Sequence, residues 1–251
     1  MARGDPRLAP FWCSASQLHC SEKRTPLGRE MLEAWEYVIN HPEKLAGWTL
    51  DHLQITFVAI VIAVILGVAL GVYITGKGKE HIADIVLYIA DIAMTTPSLA
   101  LFGFLMLILS SIGLRAIGFL PAVIALIIYG QLPILRNTYT AIREVDPAMI
   151  EAGKAMGMTE KQLLFKVKLP LAVPVIMAGL RNAIVLIIGI AAIAAMIGAG
   201  GLGVPIWRGL RNARMDLIIV GGVSVSILAL LVDALMSRVE QWATPKGLKM
   251  R

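Results

Sequence analysis

The stretch DPAMIEAGKAMGMTEKQLLFKVKLP, from Asp146 to Pro170, decides how the rest of the chain is read. It is a polar, charged island between long apolar segments, yet its punctuation is that of folded structure. Asp146 followed by Pro147 is a helix start: a side-chain N-cap, then a residue that lacks the N–H left unpaired at a first helical position. Gly157 is a stop for that short helix, because glycine takes a left-handed conformation without steric cost. Thr159 then opens a second helix, and Gln162 three residues on completes a capping box. Leu169-Pro170 is expected to break the chain before the next apolar run. A loop that merely joined two membrane spans would need few of these devices. The stretch therefore predicts a rigid helix–turn–helix presented to a partner.

Working outward, composition sets the class. The 251 residues are 57% hydrophobic and 16% charged, with a mean hydropathy of +0.75. That is too apolar for an ordinary soluble domain. The apolar residues come in long uncharged blocks, so the expected fold is all-α and polytopic in a lipid bilayer. The formal charge of +6 calls for topology and not for nucleic acid. No internal repeat or low-complexity tract stands out.

Residues 1–49 read as a polar N-terminal segment. The early part has no apolar core long enough for a secretory signal. Met31 begins a helix-like run, MLEAWEYVINHPEKL, that suits a membrane interface, with Trp35, Tyr37 and Trp48 near the headgroups. Translation is expected to start at Met31, leaving residues 1–30 outside the protein. Cys13 and Cys20 fall in that part, and two lone cysteines are a weak basis for a disulfide or a metal site.

Residues 50–242 form the membrane domain, with five apolar segments. Leu53 to Thr75 spans without a charge, and Gly67 and Gly71 on it either seat a neighbouring helix or are glycines that a membrane helix simply tolerates. A second segment, about Ile82 to Ile112, exceeds one crossing. It carries Asp91 and the run Thr95, Thr96, Pro97, Ser98, where Pro97 predicts a kink. Backbone groups freed at membrane depth persist only where protein or a water-filled path satisfies them. Thr95, Thr96 and Ser98 are thus candidates for a translocation path, or else their hydroxyls satisfy the kink from within. Asp91 reads either as a path carboxylate or as a solvated interfacial charge. The third segment, Ala116 to Leu135, is expected to continue as helix through RNTYTAIRE. The fourth runs from about Leu171 to Ala199 and the fifth from Leu217 to about Met236. Residues 243–251 form a basic tail with Lys246, Lys249 and Arg251.

Lysines and arginines between Arg136 and Pro170 place that loop in the cytoplasm. Counting spans then puts the N-terminus outside and the tail inside. Arg208, Arg211 and Arg214 fall outside, against the rule.

The chemistry of the island can now be named. EAGKAMG at Glu151–Gly157, nine residues, then VKLP at Val167–Pro170 closely resemble the EAA motif of ABC-importer permeases. Gly153 for alanine and Val167 for isoleucine are mild departures. The runs LPILRNTYTAIREVDPAMIEAGKAMGM, LPLAVPVIMAGLRNA, TTPSLALFG and IGAGGLG are similar to osmoprotectant permeases for glycine betaine, carnitine or choline, over about Leu53 to Pro245. The resemblance implies the five-helix core of type I importers. It also implies a cytoplasmic coupling helix at Glu151–Gly157 that docks on an ATPase subunit. Ala152, Gly153 and Ala155 are small enough for close approach, and Met149, Ile150 and Met156 supply adaptable apolar contact. Glu151 either accepts hydrogen bonds from the partner, braces the second helix, or is a solvated charge on the helix surface. Leu169 and Pro170 close the motif.

The implied assembly is two permease subunits, identical or paralogous, two ATPase subunits and an extracytoplasmic binding protein, working by alternating access. Gly198, Gly200, Gly201 and Gly203 in IGAGGLG lack the Lys-Ser/Thr of a nucleotide loop and read as a sharp external turn. The chain is therefore not expected to be an enzyme or to carry a cofactor or metal. His52 and His81 flank the first span and read as interfacial. The aromatics of the spans, such as Tyr88 and Tyr129, form no obvious cage for a quaternary ammonium. Selectivity is expected to reside in the binding protein, with a permissive path. The rival cargoes are methionine, taurine or a sulfonate. A rival class is a membrane scaffold or an ATP-independent channel.

Overall fold

Helix α1, Pro26–Asn40, opens the computed structural model, which describes residues 26–243. Cys13, Cys20 and the basic tail lie outside those residues. Helix α1 begins ahead of Met31, where the sequence alone starts it; the fixed φ of Pro26 suits a first helical turn. Helix α2, Pro42–Ile74, is longer than the apolar run that predicts it, because Pro42 supplies a start and the segment up to Asp51 continues the same helix.

Helices α3, Glu80–Thr95, and α4, Ser98–Ser111, form the second segment and meet at 105°. The kink expected at Pro97 is therefore a full break. Thr96, the residue before the proline, is extended at φ −64 and ψ 128, since the pyrrolidine ring disfavours the helical region there. Helix α5, Phe119–Arg143, continues through the polar RNTYTAIR as expected.

Helix α6, Pro147–Ala155, and α7, Glu160–Leu163, follow at one end of the bundle. A π-helical turn, Leu164–Lys168, joins α7 to α8, Leu169–Ala194, and a short 3-10 turn ends the run at Ile197. Glu160–Ile197 is thus one helix of 38 residues, and the break expected at Leu169-Pro170 is absent. Pro170 lies in the first turn of α8, and the wider π turn before it lets the Leu169 N–H bond to the Leu164 carbonyl. The second arm of the helix–turn–helix is therefore the start of a membrane helix. Helices α9, Gly203–Asn212, and α10, Met215–Ala243, complete the described chain.

Among the described residues four helices are long and apolar enough to cross a membrane, and the bent pair α3 and α4 is apolar enough to make a fifth if it crosses as one broken span. Helix α5 is central, packed between α2 and α8. Their shared core holds Ile55, Ala59, Ala63, Leu126, Ile134 and Ile187, with Phe102 reaching in from α4. Gly67 and Gly71 do seat a neighbour: a Cβ on them would stand 2.6 Å from Ile134 and 2.7 Å from Thr138. Residue numbers rise together across these contacts, so α2 and α5 run parallel. At one end Lys77 meets Glu160, and Arg143 meets Glu80 at 3.2 Å. At the other, Arg208 lies over the Trp48 ring and Arg214 over Tyr37.

Candidate functional site

Helix α6 carries its own end groups. The Ala148 N–H donates to the Asp146 carboxylate at 2.8 Å, which satisfies one of the first-turn donors. At the other end Gly157 sits at φ +75. The Gly157 N–H donates to Lys154 O at 2.9 Å and the Met158 N–H to Gly153 O at 3.1 Å. These two bonds are the Schellman pattern. The chain then turns directly into the Thr159 capping box, where the Gln162 N–H donates to Thr159 Oγ1 and the Thr159 N–H donates to Gln162 Oε1. Every device read in the sequence at these positions is present.

What α6 presents differs in one respect. Gly153 is buried, and a Cβ on it would meet Leu163 at 2.7 Å. Its close approach serves the chain's own α7, not an outside surface. The outward face holds Ala152, Ala155, Met149 at 47% exposure and Met156 at 70%. Glu151 is exposed and, among the described residues, has no hydrogen-bond or ion-pair partner, so the brace to the second helix is absent. The clip that holds α7 comes instead from Lys77, which donates to Glu160. Leu169 and Pro170 stand at the first turn of α8.

Along the broken span the hydroxyls of Thr95 and Thr96 both donate to Ile92 O at 2.9 Å. They satisfy the helix end from within. The Thr96 carbonyl accepts from the Tyr129 hydroxyl at 2.6 Å. Ser98 opens α4 directly after Pro97. Asp91 is neither lone nor fully solvated. Arg136 Nη2 donates to both of its oxygens, at 2.8 and 2.7 Å. Tyr129, Arg136 and Arg143 recur every seventh residue of α5, so one face of that helix fastens α3 at Thr96, Asp91 and Glu80. Sequence reasoning missed Arg136 and Tyr129 as partners. The seven-residue spacing was the available signal.

The glycine turn is real but closely packed. Gly198, Gly200 and Gly201 sit at φ +78, +86 and +83, and a Cβ on Gly203 would fall 1.8 Å from the Ala192 carbonyl oxygen. His52, expected at the interface, is fully buried beneath this turn. Its Nδ1 accepts from the Leu202 N–H at 3.3 Å. The proton is therefore on Nε2, which donates to the Ile188 carbonyl at 3.1 Å.

The described chain is thus a bundle of membrane helices with a break at Pro97 and a capped helix held out at one end. The chain belongs to the binding-protein-dependent transport system inner membrane component family, whose model matches residues 63–245. It is 41% identical to the osmoprotectant import permease protein OsmW of Salmonella typhimurium, over 87% of this chain and 100% of that protein. It is 42% identical to the glycine betaine/carnitine/choline transport system permease protein OpuCB of Bacillus subtilis, over 79% of this chain and 88% of that one. A solved inward-facing conformation of the MetNI methionine ABC transporter superposes with a TM-score of 0.68 at 26% identity, covering 82% of this chain and 99% of that one. An amino acid ABC transporter matches in fold, with a TM-score of 0.70 at 21% identity, over 82% of this chain and 97% of that one. The chain is a multi-pass inner-membrane permease subunit of an ABC importer.

Proposed function

We propose that the importer carries quaternary-ammonium osmoprotectants: glycine betaine, carnitine or choline. The observation that carries this reading is identity of about two residues in five to permeases of that cargo, over most of the chain. Helix α6 is the docking element. Its outward face of Met149, Ala152, Ala155 and Met156, with the unpartnered Glu151, meets a groove on a cytoplasmic ATPase subunit, and that separate subunit hydrolyses ATP. A second permease subunit completes the path, and an extracytoplasmic binding protein delivers cargo. Closure of two ATPase subunits drives the two α6 helices together. The motion reaches the bundle because α7 runs without a break into α8 and is clipped to the α2–α3 turn by Lys77. Energy passes through the difference in ATPase affinity between the two permease states.

The test is ATP-driven uptake into liposomes that hold the permease, its ATPase and its binding protein. The wild-type complex should accumulate at least one of the three cargoes. Gly157→Pro should lower uptake at least tenfold, because proline fixes φ near −65° and cannot hold the +75 found there. Uptake that is indifferent to ATP, or unchanged by Gly157→Pro, sinks the docking account.

A further inference from the structure

The Asp91–Arg136 pair has an unspent side. Both of its hydrogen bonds leave from Arg136 Nη2, while a guanidinium carries five donors in a planar fork. Among the described residues Arg136 makes no other hydrogen bond or ion pair. The two side chains are 54% and 39% exposed, so the fork and the carboxylate both open outward from the α3–α5 seam. Tyr88, 67% exposed, stands three residues before Asp91, on the same face of α3.

A second pair shows that this arrangement is not general. A Cβ on Gly179 would touch Asn137 at 2.4 Å, which sets α8 beside α5 at this level. Arg181 of α8 therefore lies at nearly the depth of Arg136, about 10 Å from the Arg143 end of α5 at 1.5 Å per residue. Yet Arg181 spends both edges of its fork. It binds Asp233 through Nε and Nη2, and Glu240 lies 3.7 Å from Nη1. That pair is a saturated brace between α8 and α10. The Arg136 pair, beside the broken span, is not saturated.

Ionisable side chains at membrane depth face the bundle interior or a water-filled cavity. A half-open pair with free Nη1 donors fits a ligand that carries both charges. A carboxylate can accept from the free Nη1 donors without disturbing Asp91, which is held through Nη2. A quaternary ammonium on the same molecule then lies toward the Asp91 carboxylate and the Tyr88 ring, which suits cation–π contact. We propose that Arg136, Asp91 and Tyr88 form a weak way-station for zwitterionic quaternary-ammonium carboxylates at the α6 end of the translocation path. This rests on the cargo and path readings above. The contact is shallow and uses only the donors that Asp91 leaves free, so cargo is held lightly and released, as conduction requires. The path then has one preference of its own and is not merely permissive.

The three cargoes separate the idea from its rivals. Glycine betaine and carnitine carry a carboxylate, and choline does not. In the reconstituted complex, Arg136→Gln should lower uptake of the two zwitterions at least tenfold relative to choline. Arg136→Lys keeps the charge opposite Asp91 and so keeps the fold, but it loses the planar fork; the zwitterion-to-choline ratio should fall several-fold. Arg181→Gln should leave that ratio unchanged. If both Arg136 variants keep the wild-type ratio, whether or not total uptake falls, the pair is only a brace and the proposal is overturned. If the wild-type complex moves none of the three, the cargo reading has failed instead, and the way-station falls with it.

Discussion

His52 shows what a single side chain holds together. It ties the start of α2 to the Leu202 amide and the Ile188 carbonyl, 150 and 136 residues away. His52→Ala would leave the buried Leu202 N–H without a partner, at about 1–3 kcal/mol, and would open a cavity where the buried imidazole stood. At roughly 2–4 °C per kcal/mol for a chain of this size, the melting midpoint of the detergent-solubilised protein should fall by at least about 5 °C. A midpoint within a degree of wild type would refute the bridging role. The same residue marks the limit of reading by sequence. Asp146, Thr159 and Gly157 were legible because their partners lie within a few residues, where spacing alone sets the geometry. His52 looked interfacial because nothing local reports partners so far along the chain. Gly153 misled for the same reason, since its neighbour Leu163 belongs to the following helix.

At the scale of elements, the five apolar segments and the short capped helix α6 were legible from apolar length and caps. The joints between them were less so. Proline has two readings, as a breaker and as a tolerated first-turn residue, and context decides between them. At Pro97 the preceding residue is extended and the Tyr129 hydroxyl takes up the Thr96 carbonyl, so the helix breaks. At Pro170 a π turn precedes it and the helix passes through. Helix α6 then depends on its own ends. Asp146→Ala should cost about 1 kcal/mol of local helix stability, a factor of about five in the population of the folded first turn. Stimulation of the ATPase by loaded binding protein should fall by less than in Gly157→Pro, which removes the stop altogether. Asp146→Ser keeps a cap without the charge and should retain most of the stimulation. Were the serine variant as defective as the alanine, the carboxylate charge and not the cap would be the working feature.

For the whole molecule the question is which end faces the cytoplasm. The arginines of the α9 end run against the charge rule, but two of the three have structural work there. Arg208 lies over Trp48 and Arg214 binds Asp216. At the α6 end, Lys154, Lys161, Lys166 and Lys168 cluster within one short stretch, and no described residue accepts a hydrogen bond from any of them. Free lysines beside a span are the stronger topological signal, and a docking helix is of use only on the side where ATP is made available. On both arguments the expected orientation is α6 inside and α9 outside. With Cys13 and Cys20 replaced by serine, a cysteine at Arg211 should react with a membrane-impermeant maleimide in intact cells. A cysteine at Lys154 should react only after permeabilisation. Labelling of Lys154→Cys from outside would invert the molecule, and with it the docking role of α6, because the helix would then face the binding protein and not the ATPase.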